Sequence, residues 1–234
     1  MMKPLGHVSE FARYPVKSMA GVALDSAVVG WHGFEGDRRF AFRRLGDASG
    51  FPWVSASSLP ELLLYHPMDG DEPAHVRTPA GVEIALRGEE LEREIAARLG
   101  SDVELMKFKH GIFDDAAISV ITRATMAKIS DDAGVPLDTR RFRANVVLES
   151  DDGEPFEEDA WVGGTLVFES GPRVSLTARD VRCMMINLDP DTAIQDARMM
   201  KTVVRLNENN AGAYGTVVQT GTIRVGDRVS LVTS

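Results

Sequence analysis

The sequence predicts a mainly β fold with a few helices (α+β), organised around β-barrels. Short apolar stretches with period-two alternation recur between Gly, Pro and Asp turns, while helical spacing is confined to a few places. Closing such strands on one another removes exposed edges. Phe40 and Phe42 alternate with Arg39, Ala41 and Arg43 as in a half-buried strand, and Gly30, Gly33 and Gly36 predict a hairpin ending near Gly36-Asp37. From Gly88 to Gly100 the period changes. Leu91, Ile95 and Leu99 fall four apart, and Glu89, Glu90, Glu92 and Glu94 favour the positive end of a helix dipole. Gly100 suits a left-handed stop.

After residue 107 the pattern restarts. An apolar run from Ala117 to Ile121 leads into Thr122 as N-cap of a short helix carrying Met126 and Ile129, closed by Gly134 and Pro136. Strands are expected at Phe142 to Leu148, Thr165 to Phe168, Arg173 to Thr177 and Thr202 to Arg205. A final hairpin is expected to turn at Gly226-Asp227, between Ile223/Val225 and Val229/Leu231. The break between residues 100 and 116 divides the chain into units 1–105 and 106–234.

The chain of 234 residues carries 26 Lys plus Arg against 35 Asp plus Glu, a net charge of −9. That balance argues against nucleic acid as the main partner, because phosphate backbones need a dense basic face. No apolar run approaches the roughly 18 residues of a membrane helix, and the N-terminal residues do not resemble a signal peptide, so no membrane role and a cytoplasmic location are expected. The single cysteine, Cys183, excludes an internal disulfide, an iron–sulfur cluster held by four protein thiolates and a cysteine-rich zinc site. The five histidines lack H-E-x-x-H spacing. No nucleophile elbow, P-loop or dinucleotide fingerprint is present.

Three polar constellations remain. In Tyr14-Pro15-Val16-Lys17-Ser18-Met19-Ala20-Gly21, Lys17 and Ser18 can present an ammonium and a hydroxyl to an anion; the plain alternative is a solvated strand end. Gly36-Asp37-Arg38-Arg39 and the distant Arg140-Arg141-Phe142-Arg143-Ala144-Asn145 concentrate guanidinium groups suited to phosphate, or simply paired with neighbouring carboxylates. Arg182-Cys183 places the lone thiol beside a cation that favours the thiolate, the nucleophilic and metal-ligating form. A buried, inert cysteine is the alternative.

Together these segments resemble the MOSC proteins, the family named for the C-terminal domain of molybdenum cofactor sulfurases, and within it the amidoxime-reducing branch. Tyr14 to Gly21 and Gly36 to Arg38 match Y-P-V-K-S-x-x-G and G-D-R of the family's N-terminal β-barrel part. Arg141 to Asn145, Pro155 to Trp161, Arg182-Cys183, Asp189 to Ala193 and Ile223 to Asp227 match the motifs of its MOSC part in order. Ala144 replaces a common Pro, Ala193 a Gly, and Asp180 a first cysteine.

The resemblance implies an N-terminal β-barrel-like domain packed on a MOSC β-barrel domain, and a pyranopterin molybdenum cofactor with Cys183 as metal ligand and catalytic centre. By resemblance, Lys17, Ser18, Arg38 and Arg143, with Asn145 as an amide partner, contact that anionic cofactor. Arg39 is the alternative to Arg38, since one residue of register decides which points inward. The implied activity is reductive N–O cleavage of a small N-hydroxylated substrate, with electrons from a separate donor protein. Two alternatives stay open: a sulfur carrier using a Cys183 persulfide, or a non-catalytic cofactor-binding module. Pyridoxal phosphate, linked to the family through a separate aminotransferase-like domain, is not expected to be used. The seven carboxylates between Glu149 and Asp159 could dock a basic partner or form a solvated loop. Oligomeric state is not legible.

Overall fold

The computed structural model describes residues 2–233 apart from 69, 71 and 114. In chain order the elements are β1 (Met2–Arg13), β2 (Val22–Leu24), β3 (Ser26–Gly30), β4 (Gly33–Phe34), β5 (Phe40–Arg44), β6 (His66–Met68), β7 (His75–Arg77), β8 (Glu83–Ala85), α1 (Glu89–Leu99), β9 (Val103–Lys107), β10 (Ile118–Thr122), α2 (Arg123–Ala133), β11 (Val146–Ser150), β12 (Thr165–Phe168), β13 (Arg173–Val181), α3 (Arg198–Asn207), β14 (Asn210–Gln219), β15 (Gly221–Arg224) and β16 (Arg228–Val232).

The fold is mainly β, as the alternation predicts. Seven strands run in the order β11-β10-β14-β13-β12-β16-β1, and pairing of β1 with β11 closes them into a barrel. Only β10 and β11 pair in parallel among these barrel strands. β1 thus crosses from the N-terminus into a barrel otherwise built from residues beyond 117, and Val8, Phe11, Val120, Leu148, Leu166, Leu176 and Val229 fill its centre. A second core gathers Val16, Met19, Phe40, Phe42, Tyr65 and Leu91, and a third lies between the barrel and helices α2 and α3.

Local signals place the caps where expected. Thr122 accepts from the Thr125 N–H at the start of α2, and Gly100 and Gly134 end α1 and α2 in the left-handed conformation. Three expectations are corrected. Thr202 to Arg205 is not a strand: these residues lie in α3, where Met199, Thr202 and Val203 are buried at helical spacing, so period 3.6 overrides the local β preference of Val203-Val204. Phe142 to Leu148 is not one strand either. Thr139–Phe142 form a 3₁₀ turn capped by the Asp138 carboxylate, Arg143 is left-handed, and extension begins only at Val146. The turn at Gly226-Asp227 forms, but its flanking strands do not pair as a hairpin: β15 joins β3, and β16 lies between β1 and β12.

At the other glycine cluster the hairpin is β3–β4, with Gly30 opposite Gly33. Phe34 to Asp37 then form a turn that delivers the chain to β5, paired with β9.

Candidate functional site

A cavity of about 250 Å³ opens where the two ends of the sequence meet. Its wall includes Lys17, Ser18 and Arg38 from the N-terminal half and Arg141, Arg143, Asn145, Asp180, Arg182, Cys183 and Tyr214 from the barrel half. The Tyr14 segment is laid against the Gly36-Asp37-Arg38 turn by backbone bonds: Lys17 N–H donates to the Phe40 carbonyl (2.8 Å), and the Arg38 N–H to that of Tyr14 (2.7 Å).

Three of the cavity residues, Ser18, Arg38 and Arg143, have left-handed backbones (φ 66°, 47° and 52°). For a side-chain-bearing residue this costs roughly 1–2 kcal/mol each, and such strain collects at functional sites. The surrounding bonds hold it. Asp37, 1% exposed, accepts from the Tyr14 N–H (2.6 Å), the Asn145 amide (3.1 Å) and the Arg38 guanidinium. Burial opposes the charge on Arg38, but Asp37 beside it wins and raises its pKa above the usual arginine value.

Arg143 differs. It donates to the Met19 carbonyl (2.8 Å), stacks 4.3 Å from the Tyr14 ring centroid, and among the described residues has no carboxylate within ion-pair distance. Burial lowers its pKa to about 10, against the smaller pull of Tyr14. An anion in the cavity would reverse that penalty. Arg141, with Nη2 on Asp189 (2.6 Å), keeps a buried Nε without a partner. Arg182 belongs to the framework: it pairs with Asp180 (2.5 Å), which also accepts from Ser119 Oγ (2.8 Å).

The structure therefore brings together Cys183, Lys17, Ser18, Arg38, Arg143 and Asn145. The Cys183 thiol is exposed, not sealed among hydrocarbon. Arg39 lies apart: its Nε donates to the Phe108 carbonyl (2.8 Å), and it does not line the cavity. Asn145 lines it with a committed amide, whose Nδ2 serves Ala12 and Asp37 while Oδ1 accepts from the Ser119 N–H. Asn145 thus props the Asp37–Arg38 pair. Sequence reasoning missed Asp37 and Arg141 as site residues, although both stand inside the motifs that flagged their neighbours.

The acidic stretch is mostly spent internally. Asp151 pairs with Arg228, Asp152 with Lys3 and Asp159 with Arg179, and Glu158 is buried. Among the described residues no helix is long and apolar enough to cross a membrane.

A model of the MOSC domain family matches residues 106–230, more than half of the chain. No curated protein matches. Among solved structures, the YuaD protein from Bacillus subtilis superposes with a TM-score of 0.56 at 16% identity, each chain covered in full, so the likeness is one of fold. YiiM from Escherichia coli has a TM-score of 0.45 at 9% identity, covering 100% of this chain and 71% of that one.

Proposed function

The chain belongs to the MOSC domain family, which is associated with binding of the molybdenum cofactor, and on that premise we propose that it is a molybdenum-dependent reductase of small N-hydroxylated compounds. One observation carries this reading: an exposed thiol shares a cavity with ammonium and guanidinium groups contributed by both ends of the chain. In this reading the units 1–105 and 106–234 each furnish one wall.

The donor set suits the cofactor. A soft thiolate is a ligand for a soft metal site. Among the described residues no three His, Cys, Asp or Glu side chains cluster to hold a metal, so a metal at Cys183 has to bring most of its ligands with it, as a dithiolene does. The uncompensated Arg143 and the unpartnered Arg141 Nε supply positive charge and a donor to an anionic pterin phosphate. When bound, the cofactor supplies two-electron oxygen-transfer chemistry. The chain's own part is to ligate through Cys183, to offset anionic charge with Lys17, Arg38 and Arg143, and to orient the Ser18 hydroxyl. Reduction consumes two electrons, from a separate donor protein, and two protons, and releases water and the N–H product, an amidine from an amidoxime or an amine from a hydroxylamine.

Elemental analysis of protein made in a host that synthesises molybdopterin tests the assignment. Stoichiometric molybdenum and amidoxime reduction are expected, both lost in Cys183→Ala. Full molybdenum and normal turnover in that variant would overturn it. The exposure of Cys183 equally suits sulfur carriage, and a persulfide without molybdenum in the native mass spectrum would move the assignment there. Tight cofactor retention without turnover under any electron donor would make the protein a binding module.

A further inference from the structure

Past the end of the β13–β14 ladder, one asparagine holds the backbone that carries Cys183. The last ladder pair is Val181 with Asn210. One step further, the Arg182 N–H donates to the Asn209 carbonyl (2.8 Å). An antiparallel ladder would return a bond from the Asn209 N–H to the Arg182 carbonyl, but that N–H is turned to the Val203 carbonyl of α3 (3.4 Å). The side chain supplies the return bond instead, with Nδ2 donating to the Arg182 carbonyl at 3.0 Å.

The turn that allows this is strained. A helix commonly ends on one left-handed residue, whereas α3 is followed by two, Glu208 (φ 51°) and Asn209 (φ 72°). Asparagine tolerates that conformation better than glutamate does. The flanking asparagines brace the turn: Asn207 Nδ2 donates to the Asn210 carbonyl (3.2 Å), and Asn210 Nδ2 to those of Asn207 (3.1 Å) and Glu208 (3.0 Å). Asn209 Oδ1 is buried and has no partner among the described residues. An unmet buried acceptor is unfavourable, so the amide is kept for its N–H; turned over, it would set Oδ1 against the Arg182 carbonyl.

Cys183 is thereby anchored on both sides. The peptide before it is held through the Arg182 carbonyl, and its own carbonyl accepts from the Ile186 N–H (3.3 Å). The Arg182 guanidinium is tied to Asp180 (2.5 Å) and the Ala211 carbonyl (3.4 Å). With the backbone fixed, the sulfur keeps one side-chain torsion with three staggered positions. Asn209 itself does not line the cavity. We infer that Asn209 is a positioning residue for Cys183, its amide aiming the thiol into the cationic cavity. The role rests on the reading of Cys183 as the working group of the site, whichever chemistry that group performs.

The single cysteine makes the aim of the thiol measurable. Among the described residues, Arg38, Arg141 and Arg182 on the wall each pair with one carboxylate and Arg143 with none, so a thiol aimed inward meets net positive charge. The full chain without cofactor is alkylated with iodoacetate and with iodoacetamide, at about 0.15 M salt to screen the overall charge. The ratio of the two rates is compared with that of N-acetylcysteinamide. The parent protein is expected to favour the anionic reagent about fivefold more than this small thiol does. Asn209→Gly deletes the amide and keeps the left-handed turn, and Asn209→Ala deletes it with added strain. Each should bring the ratio to within about twofold of the small thiol's. Glu208→Gly relieves the neighbouring strain but leaves the amide, and should not lower the ratio. Circular dichroism checks that each variant folds. A parent ratio equal to the small thiol's, an unchanged ratio in both Asn209 variants, or an equal loss in Glu208→Gly would each overturn the inference. Because the ratios are read without cofactor, they decide the role of Asn209 separately from molybdenum content, which decides the proposed function.

Discussion

Two buried carboxylates show how differently this protein treats its internal acids. Asp37, beneath the cysteine-bearing cavity, accepts from a guanidinium, an amide and a backbone N–H. Glu158, under the start of α2, is as thoroughly buried but is met only by neutral donors. Its Oε2 accepts from Thr122 (3.1 Å) and Thr125 (2.9 Å), and its Oε1 has no partner. Burial pushes the Glu158 carboxyl up to about 7, more than the backbone N–H and threonine hydroxyl bonds can offset. The contrast teaches that equally buried acids in one fold can be given quite different partners. Asp37 lies against a guanidinium, whereas Glu158 has only neutral donors and its carboxyl is pushed up to about 7.

Three substitutions break or sharpen that comparison. The largest effect is expected from Asp37→Ala, which strands Arg38, the Asn145 amide and the Tyr14 N–H without their acceptor. Loss of one partner of a buried pair costs about 3–5 kcal/mol, measurable in urea titrations, and a change below about 1 kcal/mol would show that Arg38 finds solvent instead.

Glu158 predicts a pH dependence of definite sign. Its folded pKa lies above the unfolded value of about 4.5, so its contribution is fully present below pH 4.5 and is lost as pH rises towards 7. The loss is on the order of 3 kcal/mol. Glu158→Gln keeps the neutral form throughout, so its stability curve should be flatter across that window and higher at pH 8. Parallel curves for variant and parent would contradict the burial argument.

The smallest effect separates backbone strain from charge. Ala193 carries a Cβ yet takes the left-handed conformation (φ 58°). Ala193→Gly should raise stability by about 1 kcal/mol, read from the denaturation midpoint, without moving the pH profile.

Elements encoded within a few residues were legible from the sequence. Thr122 capping α2, Gly100 and Gly134 ending their helices, and the strand Thr165–Phe168 all stand where the pattern put them, because each rests on neighbours in sequence. The errors arose where a short window met a longer period, as at Thr202 to Arg205, or where a partner was distant, as at β15. The choice between Arg38 and Arg39 looked like a matter of strand register. It is decided by a turn instead: Arg38 takes a positive φ before the strand begins at Phe40. Glu158 was unreadable within an acidic run, because nothing local marks which one of seven carboxylates a fold will bury.

The sequence by itself determined the strand-rich class, the helix caps, and the basic and thiol-bearing motifs, since alternation, capping and side-chain chemistry are local properties. Only the tertiary structure decided that β1 closes the barrel, that Cys183 faces solvent beside arginines from both ends of the chain, and that Arg143 borders two cavities. Those outcomes depend on burial and on pairings between residues more than a hundred positions apart, and on the electrostatic surroundings such pairings create.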